Sequence, residues 1–149
     1  MKRFSRFAIF AAASTALISG VAATPAAANE AGISSTVSVH TRGDGTQPPA
    51  FLGDPEEWGV VQLTIDSSAR SMAPTVIVPA GGGTWSYGYQ ERNGLKYCYS
   101  NYYHRDVEHS STVKMANKTM KDIEPAGEYT NANLTAGFAY KCETFYAKH

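Results

Sequence analysis

Apolar and polar positions along this chain follow the pattern of short strands. The run Thr36-Val37-Ser38-Val39 alternates small polar and β-branched residues. Residues 58–65 (WGVVQLTI) and 75–78 (TVIV) are short and β-branched, with Pro74 and Pro79 bracketing the second. Such runs, bounded by turn residues, read as strands. From Thr84 onward the pattern predicts strands at about 84–90, 95–103, 110–116, 127–135 and 137–146. Asn93-Gly94 between the first two is a hairpin signal, because both residues accept positive φ. Residues 114–125 predict a loop or a short helical turn. The simplest architecture for this series is a small antiparallel β-sandwich, an all-β fold.

The ends of the pattern look different. Residues 1–28 begin with Lys2, Arg3 and Arg6, continue through an apolar run at 7–21, and close on Ala26-Ala27-Ala28. That is the build of a secretory signal peptide, with cleavage expected after Ala28. The apolar run is short for a membrane span and is followed by Pro25. An extracellular location is therefore expected. Residues 29–80 hold two basic and six acidic groups, a net of −4. So few apolar groups would struggle to bury a core alone. Two readings follow: an acidic propiece or partly ordered spacer, or extra strands for the main domain. The first is the expectation. Gly81-Gly82-Gly83 then reads as a flexible joint, hinge or processing point.

Composition changes the picture most after residue 83. All nine tyrosines lie there. Aromatics suit half-buried pleated surfaces. Residues 81–149 carry eight basic and seven acidic groups, so no basic stripe of the kind a nucleic-acid binder needs is present. The two cysteines, Cys98 and Cys142, fall in different predicted strands. An even pair in an exported chain predicts a disulfide. Closing a loop of that length would stabilise by about 4 kcal/mol.

Catalytic chemistry is hard to find. His104 and His109 flank Asp106 and Glu108, but the spacing matches no zinc motif, and Arg105 puts a positive charge among them. On one strand the two rings would point to opposite faces; a turn would let them converge. No nucleophile elbow or phosphate-binding glycine loop appears. The expectation is no catalytic residue, no metal and no cofactor.

The order of residues goes further than their counts. Gly83-Thr84-Trp85-x-x-Gly88-Tyr89 is followed by Tyr99-Ser100-Asn101-Tyr102-x-His104 and by His109-Ser110-x-Thr112-Val113. Ala126-Gly127, Ala132-x-Leu134-Thr135 and Thr144-Phe145-Tyr146 come after. This series resembles the lactococcin 972 family of bacteriocins over about residues 83–149. The resemblance implies a secreted antibacterial β-sandwich. It implies binding of the cell-wall precursor lipid II, a block of septum formation in related Gram-positive bacteria, and homodimerisation. It also implies dedicated membrane immunity and transport proteins in the producer. Trp85, Tyr87, Tyr89, Asn101, Tyr102 and His104 are the ligand-binding candidates, with Lys114, Lys118 and Lys121 as a second, anion-binding set. The rival reading is a secreted, non-catalytic carbohydrate- or protein-binding module or inhibitor. The chain departs from the family's type member in carrying residues 29–80, in its two cysteines, and in ending Ala147-Lys148-His149.

Overall fold

The computed structural model describes residues 33–34, 36–65 and 75–149. The expected leader and its cleavage after Ala28 lie outside the described residues. Ten strands are described: β1 (Ile33–Ser34), β2 (Val37–Thr41), β3 (Glu57–Ile65), β4 (Val76–Ala80), β5 (Gly83–Arg92), β6 (Leu95–Tyr103), β7 (His109–Met115), β8 (Lys118–Glu124), β9 (Ala132–Ala136) and β10 (Cys142–Lys148). They form two antiparallel sheets. One runs β1-β3-β10-β7-β8, with β2 also paired to β3; the other runs β4-β5-β6-β9. The sheets pack face to face, as the all-β pattern predicts.

The core follows from alternation. Trp85, Tyr87 and Tyr89 on β5 pair with Tyr102, Ser100 and Cys98 on β6, so all six side chains share one face. That face meets Val61, Leu63, Val113, Met115, Cys142 and Tyr146 of the other sheet. The Cys98–Cys142 disulfide ties β6 to β10 across the sandwich, with Cα atoms 6.2 Å apart. The bridge expected from the two cysteines is therefore present.

Three hairpins turn on two residues that both have positive φ: Gly81-Gly82 (55° and 84°), Asn93-Gly94 (54° and 75°) and Ala116-Asn117 (52° and 58°). This is the turn whose twist matches paired strands. The first corrects an expectation. Gly81-Gly82-Gly83 is a tight turn between β4 and β5, closed by the Ala80–Gly83 pair, and not a loose joint. The third corrects another. Residues 118–124 are a strand rather than a loop or helical turn. Met120 and Ile123 stand three apart, on opposite faces of an edge strand, so the two-residue period was hidden.

The expected spacer is also different where it is described. β3 lies between β2 and β10, in register with β10 from Leu63–Cys142 to Glu57–Lys148. β4 adds to the free edge of β5. Val61 and Leu63 are core residues. These segments need no core of their own, because they share the one built by β5–β10. Residues 42–56 then cross the outer face of the larger sheet. A single 3-10 turn, Ala50–Leu52, puts Phe51 and Leu52 over Trp58, Phe145 and Ala147. Lys121 Nζ donates to the Leu52 carbonyl at 3.0 Å and pins the far end of this cover.

The strands expected at 127–135 and 137–146 are shorter at their starts. Residues 125–131 are turn and irregular backbone with one isolated bridge, Tyr103–Tyr129. Residues 137–141 form a turn held from below by Lys96, whose Nζ donates to the Phe138 and Tyr140 carbonyls.

Candidate functional site

Five of the six candidate ligand-binding residues are buried, four of them in the hydrophobic core. Trp85 and Tyr102 have no exposed surface, and Tyr87 and Tyr89 are 1% exposed. Their polar atoms are used internally. Trp85 Nε1 donates to Ser100 Oγ at 2.9 Å, and Ser100 Oγ donates to the Phe145 carbonyl at 2.9 Å. Tyr102 Oη donates to the Ala80 carbonyl at 2.9 Å. Burial pushes the Tyr102 hydroxyl pKa up, helped by the charge of Glu57, and burial raises that of Tyr89. These rings hold the two sheets together and leave almost no surface at the exterior. The correction has a simple cause: strands show alternate residues on opposite faces, and Trp85, Tyr87, Tyr89 and Tyr102 all have the inward phase.

His104 is buried for another reason. Its Nδ1 accepts from the Asp106 N–H at 3.1 Å, which leaves Nε2–H to donate to the Gly81 carbonyl at 3.0 Å. His109 Nδ1 lies 2.8 Å from the Val107 carbonyl, and its Nε2 lies 2.9 Å from the Glu128 carbonyl and 3.3 Å from the His104 backbone nitrogen; Nε2 donates to that carbonyl or accepts from that N–H, one at a time. The turn at 104–108 does bring the two rings together, with centroids 6.3 Å apart. Both are spent on backbone groups at one end of the sandwich. Among the described residues no group of three or more His, Cys, Asp or Glu side chains could hold a metal ion.

Asn101, the sixth candidate, has the outward phase. So do Tyr97, Tyr99 and Tyr103 on the same strand, which the six candidates omitted. Their cross-strand partners are Gln90, Gly88, Ser86 and Thr84 on β5, with Thr135 and Asn133 on β9. The result is a continuous aromatic strip with a polar border. Arg92 Cζ lies 3.4 Å from the Tyr97 ring centroid. Tyr97 and Tyr99 stack with centroids 6.1 Å apart. Tyr99 lies across Gly88, where an added Cβ would come within 2.8 Å of its hydroxyl, and its Oη bonds Thr75 Oγ1 at 2.6 Å. Tyr103 packs on Tyr129 at 4.6 Å, and Tyr129 is 63% exposed.

The two outer faces of the sandwich thus differ. Residues 42–56 cover that of the larger sheet. On the smaller sheet Tyr97, Asn101 and Tyr103 are part-exposed and Tyr129 is exposed, while Tyr99 among them is buried. Flat rings bordered by Ser, Asn, Gln and Thr offer apolar area for a sugar face and hydrogen bonds for its hydroxyls. The missed signal was available: Tyr97, Tyr99, Asn101 and Tyr103 recur at a period of two within a single predicted strand.

The second candidate set divides as well. Lys121 is committed to the Leu52 carbonyl. Lys114 and Lys118 line a cavity of about 270 Å³ with Tyr140, Lys141 and Glu143, where the β7–β8 turn meets the turn before β10.

The family model described as Bacteriocin (Lactococcin_972) matches residues 81–146. Those residues form a lactococcin 972 family bacteriocin domain. The match runs from the β4–β5 turn to Tyr146 on β10, so it takes in the whole tyrosine face on β5, β6 and β9. It leaves outside β1 to β4 and the cover at 42–56. No curated protein and no solved structure matches the chain. The match to a bacteriocin family supports an antibacterial role. Among the described residues no helix is long and apolar enough to cross a membrane.

Proposed function

We propose that this protein is a secreted antibacterial that binds lipid II, the sugar–peptide–pyrophosphate precursor of the cell wall, and blocks septum formation in related Gram-positive bacteria. The observation that carries the reading is a match to a bacteriocin family over a sheet whose outward tyrosines Tyr97 and Tyr103, with Tyr129 beside them, reach the surface. Tyr97, Tyr103 and Tyr129 would stack on the sugar rings, with buried Tyr99 packed among them, while Asn101, Gln90 and Asn133 would hydrogen-bond the sugar hydroxyls. The interior made by Trp85, Tyr87, Tyr89 and Tyr102 holds the face in place. Binding at the outer surface of the target cell requires no catalysis and no cofactor. Homodimerisation, and membrane proteins for immunity and transport in the producer, belong to the same reading.

The test is to add the purified chain to growing Gram-positive cells. Septation defects relieved by added lipid II, and weakened in a Tyr97→Ala/Tyr103→Ala variant that still folds, are expected. Loss of the two rings should weaken binding about tenfold or more, since each stacked aromatic pair contributes about 0.5–1.5 kcal/mol. Normal septation on every strain, together with retained binding to surface carbohydrate or protein, would instead favour a secreted binding module or inhibitor.

A further inference from the structure

The cavity at the opposite sheet has a charge pattern that the tyrosine face lacks. Its lining includes Lys114, Lys118 and Lys141, with Glu143 as its carboxylate. Glu143 is already engaged twice. Its Oε2 lies 3.6 Å from Lys114 Nζ, and its Oε1 accepts from Gln62 Nε2 at 3.1 Å. Lys118 and Lys141 are exposed and make no ion pair or side-chain hydrogen bond among the described residues. They stand on two different turns that face one space, so their charges add there without a balancing anion.

The walls are held in place from below. Lys96 is 1% exposed, and its ammonium group donates to the carbonyls of Phe138 and Tyr140. Two carbonyl oxygens of the turn that carries Tyr140 and Lys141 are thereby satisfied inward, on a buried cation. On the other side, Ala116 and Asn117 fix the β7–β8 turn in its two-residue form. Half-exposed Tyr140 stands at the rim with its hydroxyl as a further donor. A volume of about 270 Å³ is just under the roughly 300 Å³ at which pockets for whole small molecules begin. That suits a compact oxyanion better than a sugar–peptide unit.

We infer that this groove is an anion subsite that takes a phosphate or pyrophosphate group through Lys118 and Lys141, with Lys114 and Tyr140 at its border. The inference rests on the groove's geometry and charge and not on the lipid II reading. The group could be free or carried on a lipid, and the shared chemistry is the multiply charged phosphate oxygen set, which lysine binds as a point charge.

The experiment titrates the full chain with sodium pyrophosphate at constant ionic strength and follows the backbone amides of Asn117, Lys118 and Lys141 by NMR. Saturable shifts that matched sodium chloride does not produce are expected. K118Q/K141Q should weaken the affinity about tenfold or more with an unchanged thermal midpoint, and K118R/K141R should retain most of it. Phosphatidylcholine vesicles carrying a polyprenyl pyrophosphate should capture the chain better than vesicles of equal charge carrying phosphatidylglycerol. Unsaturable shifts, equal affinity in K118Q/K141Q, or equal capture by both vesicles would overturn the inference. Retained pyrophosphate binding in a Tyr97→Ala/Tyr103→Ala variant is expected, so failure of the tyrosine face and failure of the groove give separate results.

Discussion

The Tyr146 hydroxyl donates to Glu57 Oε1 at 2.6 Å, joining the last strand of the bacteriocin domain to a strand that precedes it by 89 positions. Beside this bond, Gly59 lies under the Tyr146 ring so closely that any added Cβ would collide with it. The two residues are directly paired across β3 and β10. The segment before the family domain is thus fitted to it atom by atom. Gly59→Val should destabilise the protein by about 2–3 kcal/mol, the range for overpacking a close-packed site. Tyr146→Phe should cost about 1–2 kcal/mol, the loss of one bond to a carboxylate that keeps some access to water. Denaturant unfolding of the two variants checks both values.

The disulfide makes the second prediction. Cys98 and Cys142 are 44 residues apart, so opening the bridge frees a long loop in the unfolded chain. Cys98→Ser/Cys142→Ser should lose about 4 kcal/mol of stability on the chain-entropy account. Unfolding midpoints with and without reductant should differ for the natural chain and coincide for the variant.

Trp85 separates core from surface. It is fully buried between Tyr87 and Tyr146, with ring centroids at 4.3 Å and 5.0 Å. Trp85→Ala should cost about 3–5 kcal/mol and lose activity by unfolding. Tyr103→Ala, on the outward phase of β6, should leave the thermal midpoint within a few degrees and reduce inhibition alone. Circular dichroism melts beside growth inhibition distinguish the two modes of loss.

Thr144 points into the sandwich between Val61 and Val113, and its hydroxyl has no partner among the described residues. Thr144→Val keeps the shape and removes an unsatisfied polar atom. A gain of about 1 kcal/mol is expected, the lower end of the cost of leaving such a group buried. A lower midpoint in the variant would mean that the hydroxyl is in fact solvated.

Stability should fall at both ends of the pH scale. Burial holds the His149 pKa below its ordinary 6.5, assisted by the charges of Lys121 and His109 and opposed by Glu108. The unfolded chain then binds the proton more readily, so this stability is present above pH 6.5 and is lost as pH falls through the depressed folded value. Tyr102 and Tyr146 behave in the other sense. Burial first, and Glu57 with it, push both hydroxyls well above 10. Their unfolded forms ionise first, so stability is lost as pH rises above about 10. Thermal midpoints across pH should form a plateau with two falling limbs, and His149→Gln should soften the acid limb alone.

Much of this protein was legible in its residues. Tyr97-x-Tyr99-x-Asn101-x-Tyr103 and Trp85-x-Tyr87-x-Tyr89 specify strands because period two needs no tertiary context to be seen. Asn93-Gly94 specifies its hairpin because positive φ is a local property. The residue order over about 83–149 carries the family resemblance, and two cysteines in a chain expected to be exported carry the bridge. Three things depended on the third dimension. Which phase of β6 faces inward is decided by what packs on it, since Tyr102 and Tyr103 have the same ring. Residues 58–65 read as a strand from their β-branched run, but only their place between β2 and β10 shows that Val61 and Leu63 complete the shared core while Trp58 meets the cover at 42–56. Lys118 and Lys141 are 23 positions apart in the chain, and a shared groove exists only once two turns from different parts of the sandwich close on the same space.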